Sequence, residues 1–105
     1  MAQFPIRFPD SAKGLETTPV VVFLQRMANR ISVGHFRYGK PDKDKMYLSR
    51  LKLEVKAYSK TGNSEHLLNA ANYCFLESQA PENKKFHWDD TTESVTRKKF
   101  GGNIA

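Results

Sequence analysis

Between Val20 and Ile31, apolar side chains fall at Val20, Phe23, Leu24, Met27, Ala28 and Ile31. That is the i, i+3, i+4, i+7 rhythm of one helix face. Gln25, Arg26, Asn29 and Arg30 take the other face. Thr17 and Thr18 precede Pro19, a hydroxyl cap followed by a first-turn proline. The pattern predicts a helix from about Pro19 to Arg37. Gly34 weakens it or ends it, at a cost of about 1 kcal/mol relative to alanine. The next stretch, YGKPDKDK, is a loop punctuated by Gly39 and Pro41, in which Asp42 or Asp44 can cap a second helix. Leu48, Leu51, Val55 and Tyr58 mark that helix, with Lys52, Lys56 and Lys60 along another face. Gly62 and Asn63 end it, and Asn63 or Ser64 caps a third.

The third helix carries Leu67, Leu68, Ala70, Ala71, Cys74, Phe75 and Leu76 around most of its circumference. A helix apolar nearly all round is a central one. So short a connection makes the second and third helices an antiparallel hairpin. Residues 1–16 hold Pro5, Pro9 and Gly14 with Phe4, Ile6 and Phe8 alternating, which predicts an extended arm or edge strand. Residues 79–105 have weak periodicity and read as an irregular tail lying on the bundle or on a partner. The expectation is a single all-α domain: arm 1–16, three-helix core 17–78, tail 79–105. A core this small, with polar ends this long, predicts self-association.

Charge changes the picture more than composition does. The 105 residues carry 17 Lys and Arg against 11 Asp and Glu. Ten of those basic residues lie between Arg26 and Lys60, with only Asp42, Asp44 and Glu54 as acids. Such a field is either a solvated basic face or an attractor of phosphate, on nucleic acid or on a free nucleotide. The single cysteine, Cys74, excludes an intrachain disulfide and a cysteine-based zinc site, and its apolar neighbours predict a buried thiol. No run reaches the roughly 20 apolar residues of a membrane span. With no signal-peptide core at the N-terminus, the expected location is the cytoplasm.

Glu65, His66, Asn69, Asn72, Tyr73 and Glu77 interrupt the third helix's apolar surface. Glu65, Asn69, Asn72 and Tyr73 share a face. Buried amides need partners, at about 1–3 kcal/mol each if left without. Two readings are open: a polar network that fixes helix register, or a ligand site. In the second, Asn69 and Asn72 read a base or ribose while His66 or nearby arginines take phosphate. RISVGHFRYGK adds Arg30, His35, Arg37, Tyr38 and Lys40 at a helix end, with guanidinium groups for phosphate and rings for stacking. The candidate ligand set is Arg30, His35, Arg37, Tyr38, Arg50, His66, Asn69 and Asn72. Arg30, Arg37 and Arg50 are assigned to phosphate and Tyr38 to stacking. No catalytic set is assigned. Glu65 and Glu77 lie about 18 Å apart along one helix and cannot share an ion. Glu54 with Glu65 gives only two carboxylates, and no P-loop, Ser-His-Asp pattern or HExxH is present.

FRYG, YLSRLKLEVKAY and TGNSEHLLNAANYCFLE resemble short phage-encoded proteins of uncharacterised function. Their order, over about residues 26–77, is also similar to small MazG-like dATP/dGTP diphosphohydrolase-related proteins. That resemblance implies an all-α fold, oligomers and a nucleotide pocket between helices. MazG-like enzymes carry EExxE and ExxD motifs for magnesium, and neither stands here; Asn69 and Asn72 lie near where acids are wanted. The expectation is therefore a binder of a phosphorylated or cyclic nucleotide, without a cofactor, that sequesters its ligand in a host cytoplasm as a counter-defence. The alternatives are a magnesium-dependent pyrophosphohydrolase using Glu54 and Glu65, and an inhibitor that binds nucleic acid or a host protein through the basic helix.

Overall fold

A computed structural model describes residues 6–89 and 95–101. The described residues form helices α1 (Thr17–Tyr38), α2 (Tyr47–Thr61), α3 (Glu65–Gln79) and a short α4 (Val95–Phe100), and no strand. The all-α core is therefore as the periodicity predicts.

Helix α1 starts two residues before Pro19, so Thr17 and Thr18 lie inside it and cap nothing. Gly34 does not end it. Gly39 does, at φ +79, its amide donating to the His35 carbonyl at 2.9 Å. Asp42 caps only a 3-10 turn over Lys43–Lys45, accepting from the Asp44 amide at 3.0 Å. The cap on α2 comes instead from 33 residues downstream. The Ser49 amide donates to Glu82 at 3.0 Å, and the Ser49 hydroxyl donates at 2.8 Å. A carboxylate at a helix start satisfies free amides and meets the positive end of the dipole. Glu77 in turn accepts from the amides of Glu82 and Asn83, at 2.9 and 3.2 Å. The tail thus docks on the bundle at its root.

The α2–α3 turn works as its sequence suggests. Gly62 is left-handed at φ +70 and donates to the Tyr58 carbonyl at 2.8 Å. Asn63, not Ser64, supplies the cap, accepting from the Glu65 amide at 3.0 Å. The hairpin is antiparallel. Tyr47 stacks on Tyr73 with centroids 6.3 Å apart, and seven residues further along α2 Glu54 meets His66, seven residues back along α3.

The core is thin. Tyr47, Leu68 and Ala70 are its buried apolar residues, Asn72 is buried with them, and α1 buries none of its side chains below that level. Helix α3 is central only in part. Leu67 and Phe75 stay about two-fifths exposed, at 41% and 40%. Cys74 is exposed as well, which corrects the expectation of a buried thiol. The surface of α3 is apolar nearly all round, but two neighbouring helices cover only part of it. The radius of gyration, 15.9 Å, exceeds the roughly 13 Å of a compact domain of this length. Residues 1–5 of the expected arm lie outside the described residues; residues 6–16 hold a 3-10 turn at Asp10–Ala12 and no strand. No helix among the described residues is long and apolar enough to cross a membrane.

Candidate ligand cavity between α1 and α3

A chain of polar contacts clamps the three helices together at one level. The His66 Nδ1 and a Glu54 oxygen are 2.7 Å apart; a carboxylate only accepts, so Nδ1 carries the proton. Glu54 also accepts from Asn69 Nδ2 at 3.4 Å. Asn69 Oδ1 accepts from Arg30 at 2.8 Å, and Arg30 is also ion-paired to Glu65. The Arg30 hydrogen bond, then its charge, holds the Glu65 carboxyl below the usual carboxylate range. Both oxygen and nitrogen of the Asn69 carboxamide are thus engaged inside the protein. This is the register-fixing network, and it uses Asn69, His66, Glu54, Glu65 and Arg30.

A cavity of about 1020 Å³ opens between the second half of α1, the loop after it and the second half of α3. Its size is at the upper end of the roughly 300–1,000 Å³ typical of small-molecule sites. Arg30, His35, Tyr38, Arg50, Asn69 and Asn72 all line it. Arg37 and His66 do not: Arg37 points elsewhere on α1, and His66 sits on Glu54. Lys45, Tyr47 and Tyr73 line it too, and none of them is in the sequence-derived set. Lys45 stands in the basic loop and Tyr73 on the polar stripe, so both carry a signal. Tyr47 carries none, because it sits at the first position of α2, before its periodicity begins.

Among the described residues the lining contains Arg30, His35, Lys45 and Arg50 and no carboxylate. Lys45 donates to the Tyr38 carbonyl at 2.9 Å, with its ammonium 5.7 Å from the Tyr38 ring centre. Arg50 Nε donates to the Lys45 carbonyl at 2.5 Å. Lys45 and Arg50 are so each held by a backbone carbonyl, and the Arg50 Nη groups are left over from that bond. Deeper in, Ile31, Leu76 and the Tyr47–Tyr73 pair make an apolar wall. One polar atom breaks it. Asn72 is only 8% exposed, and its Oδ1 is buried with no hydrogen-bond partner among the described residues. Leaving such an acceptor unpaired costs about 1–3 kcal/mol. Among the described residues no three His, Cys, Asp or Glu side chains gather as a metal-holding group.

Comparison with protein-family models, curated proteins and solved structures found no match for the chain. The resemblance to phage-encoded and MazG-like proteins rests on the quoted stretches alone.

Proposed function

We propose that the cavity binds a phosphorylated nucleotide, linear or cyclic, without transforming it. The observation that carries this reading is a cavity lined by Lys45, Arg50 and His35 together with the Tyr47–Tyr73 pair and Asn72, whose Oδ1 is buried without a partner among the described residues. A turn of the Asn72 side chain would offer that acceptor to a donor on the ligand, for which the exocyclic amine of a base is the right chemistry. The Tyr47–Tyr73 wall and Tyr38 offer faces for a ring. Lys45, His35 and Arg50 then stand where phosphate charge would lie, Arg50 able to meet it with two nitrogens. Asn69 drops out of the base-reading role, because both ends of its carboxamide are engaged. Glu54 and Glu65 are likewise committed, to His66 and Arg30. The magnesium-dependent alternative must break both pairs before the two carboxylates are released together. Sequestration of a nucleotide signal in a host cell is the biological setting that fits a binder of this kind.

The test is one incubation of the protein with nucleoside triphosphates and cyclic nucleotides, with and without magnesium. The filtrate is then assayed by chromatography, and so is the material released on denaturation. One ligand depleted from the filtrate and recovered intact is the expected result. Arg50→Glu should abolish its capture and Arg37→Glu should leave at least half of it. A monophosphate product formed only with magnesium would make the protein a hydrolase. A panel left free and unchanged would end the nucleotide reading and bring forward a nucleic-acid or protein partner.

A further inference from the structure

The side of α2 turned away from α3 is basic. Tyr47 and Glu54 point to α3, where they meet Tyr73 and His66. Lys52, Lys56 and Lys60 lie about 140–220° around the helix from Tyr47 at 3.6 residues per turn, and all three are exposed. They repeat at four-residue steps, so they climb the helix about 6 Å at a time. Like charges at that spacing destabilise a helix. No acidic residue stands three or four positions from any of them to offset the repulsion. The one carboxylate of α2, Glu54, is on the opposite side in its pair with His66.

The tail adds two more cations and two rings at one end of this face. Ser49 precedes Lys52 by one turn on the same side of α2, and its amide and hydroxyl hold Glu82 there. Those bonds, and after them the charge of Lys52, keep the Glu82 carboxyl below its ordinary value, which puts Lys52 beside the root of the tail. Lys84 and Lys85 follow at once, both exposed. Their turn is closed by Asn83, whose Oδ1 accepts from the Lys85 amide at 2.9 Å and whose carbonyl accepts from the Phe86 amide at 3.1 Å. Phe86 and Trp88 come next, 54% and 87% exposed. Two residues apart, their Cα atoms are separated by at most about 7 Å.

We infer that this surface binds single-stranded nucleic acid, the lysines tracking phosphates along α2 and the two rings stacking on bases. Charge complementarity selects a polyanion. Five ammonium groups face two carboxylates, Glu82 and Asp89, and Glu82 is already engaged by Ser49. The rings select a single strand among polyanions, because its bases are free to stack on side chains and those of a duplex are stacked on each other. A bilayer fits poorly. Helix α2 has turned its apolar side to α3, and Leu53 and Val55 at the margins of the lysine face make no stripe that could insert. The lining of the cavity contains none of these residues, so the surface does not rest on the nucleotide reading.

The experiment is a fluorescence titration of the full chain with a thymidine oligomer of about 16 nucleotides. Its duplex with the complementary strand and phosphatidylserine vesicles are run in parallel. Trp88 is the only tryptophan of the chain, so a base stacked on it quenches the intrinsic emission. The oligomer should quench Trp88 with a dissociation constant of about 1–100 μM at about 50 mM NaCl. Three to five phosphate contacts should weaken it by roughly 20- to 130-fold on going to about 200 mM, at a slope of about −0.7 for each contact. Lys56→Glu should weaken binding at least fivefold and flatten that slope. Phe86→Ala should weaken it about fivefold or more and leave the slope unchanged. No binding at about 100 μM in the lower salt would overturn the proposal. So would binding that leaves the Trp88 emission unchanged, a duplex bound more tightly than the strand, or Lys56→Glu without effect. Vesicles that quench Trp88 when the oligomer does not would overturn it in favour of a membrane surface.

Discussion

Replacing Asn72 with leucine should stabilise the ligand-free protein and abolish binding together. The Oδ1 is buried without a partner, in a side chain 8% exposed. Its desolvation costs about 1–3 kcal/mol that no hydrogen bond returns. Leucine has the same branched outline and a larger volume, and the cavity that Asn72 lines takes up the extra methyl bulk without strain. The hydration of the amide nitrogen is lost in exchange, which leaves a net gain of about 1 kcal/mol. For a domain of this length that raises Tm by about 4–8 °C. The assay is thermal and urea unfolding by far-UV circular dichroism, at one fixed protein concentration, with ligand capture measured in parallel. Stabilising an unliganded site at the cost of its function is the expected trade. If Asn72→Leu instead loses 1 kcal/mol or more, the carboxamide has a partner inside the fold, and the argument that it waits for a ligand is refuted.

Glu82 should make stability sensitive to acid. Hydrogen bonds from the Ser49 amide and hydroxyl hold its carboxyl below its ordinary value of 4.5, so its contribution is whole above that pH and is lost as pH falls through the lowered value. Urea midpoints at pH 7, 4 and 3 should drop less steeply for Glu82→Gln than for the wild type; parallel slopes would remove the cap from the account. Gly62→Ala should cost about 1–2 kcal/mol, because nothing lies near the added Cβ and the whole effect is the left-handed backbone at φ +70. A loss below about 0.5 kcal/mol in urea titration would mean that the turn relaxes at Gly62. Glu65→Gln removes the ion pair and leaves Arg30 held by Asn69, so nucleotide capture should hold or tighten, by up to about tenfold if the Nη2 group then reaches phosphate. Loss of a magnesium-dependent turnover in that variant would favour the hydrolase.

The helices are legible in the sequence because periodicity, glycine stops and the Asn63 cap are local signals. The spacing of Leu48, Leu51 and Val55 on α2 and the Gly62-Asn63 turn each need only a few neighbouring residues. What escapes is long-range. The Glu82 carboxylate closes α2 from 33 residues away, and no local pattern announces that. Cys74 and Phe75 sit in an apolar run, yet the run does not say how many neighbours will cover it. The polar stripe on α3 is visible, but not its division: Asn69 within the clamp, Asn72 in the cavity wall with its Oδ1 unpartnered among the described residues. One turn of helix separates those two amides, and only the position of Arg30, 39 residues before Asn69, tells them apart.

The thin core ties folding to the self-association that the sequence predicts: if the native state is a dimer, the two are one process. With Tyr47, Leu68 and Ala70 as the buried apolar residues among those described, the subunit lacks the burial that stable domains of its size achieve. A dimeric native state then draws stability from mass action, which a monomeric one cannot. A hundredfold rise in protein concentration shifts the equilibrium by about 2.8 kcal/mol per dimer, at 1.4 kcal/mol for each factor of ten. Spread over the unfolding entropy of two such chains, that raises Tm by about 6 °C. Calorimetry from about 2 to 200 μM without ligand should show this slope. Saturating nucleotide should then add a roughly constant increment at every concentration, about 2.7 kcal/mol per site at a hundredfold excess over Kd. A Tm indifferent to protein concentration would mean that the single chain folds alone despite its thin core, and the expected self-association would have to be abandoned while the cavity reading stood.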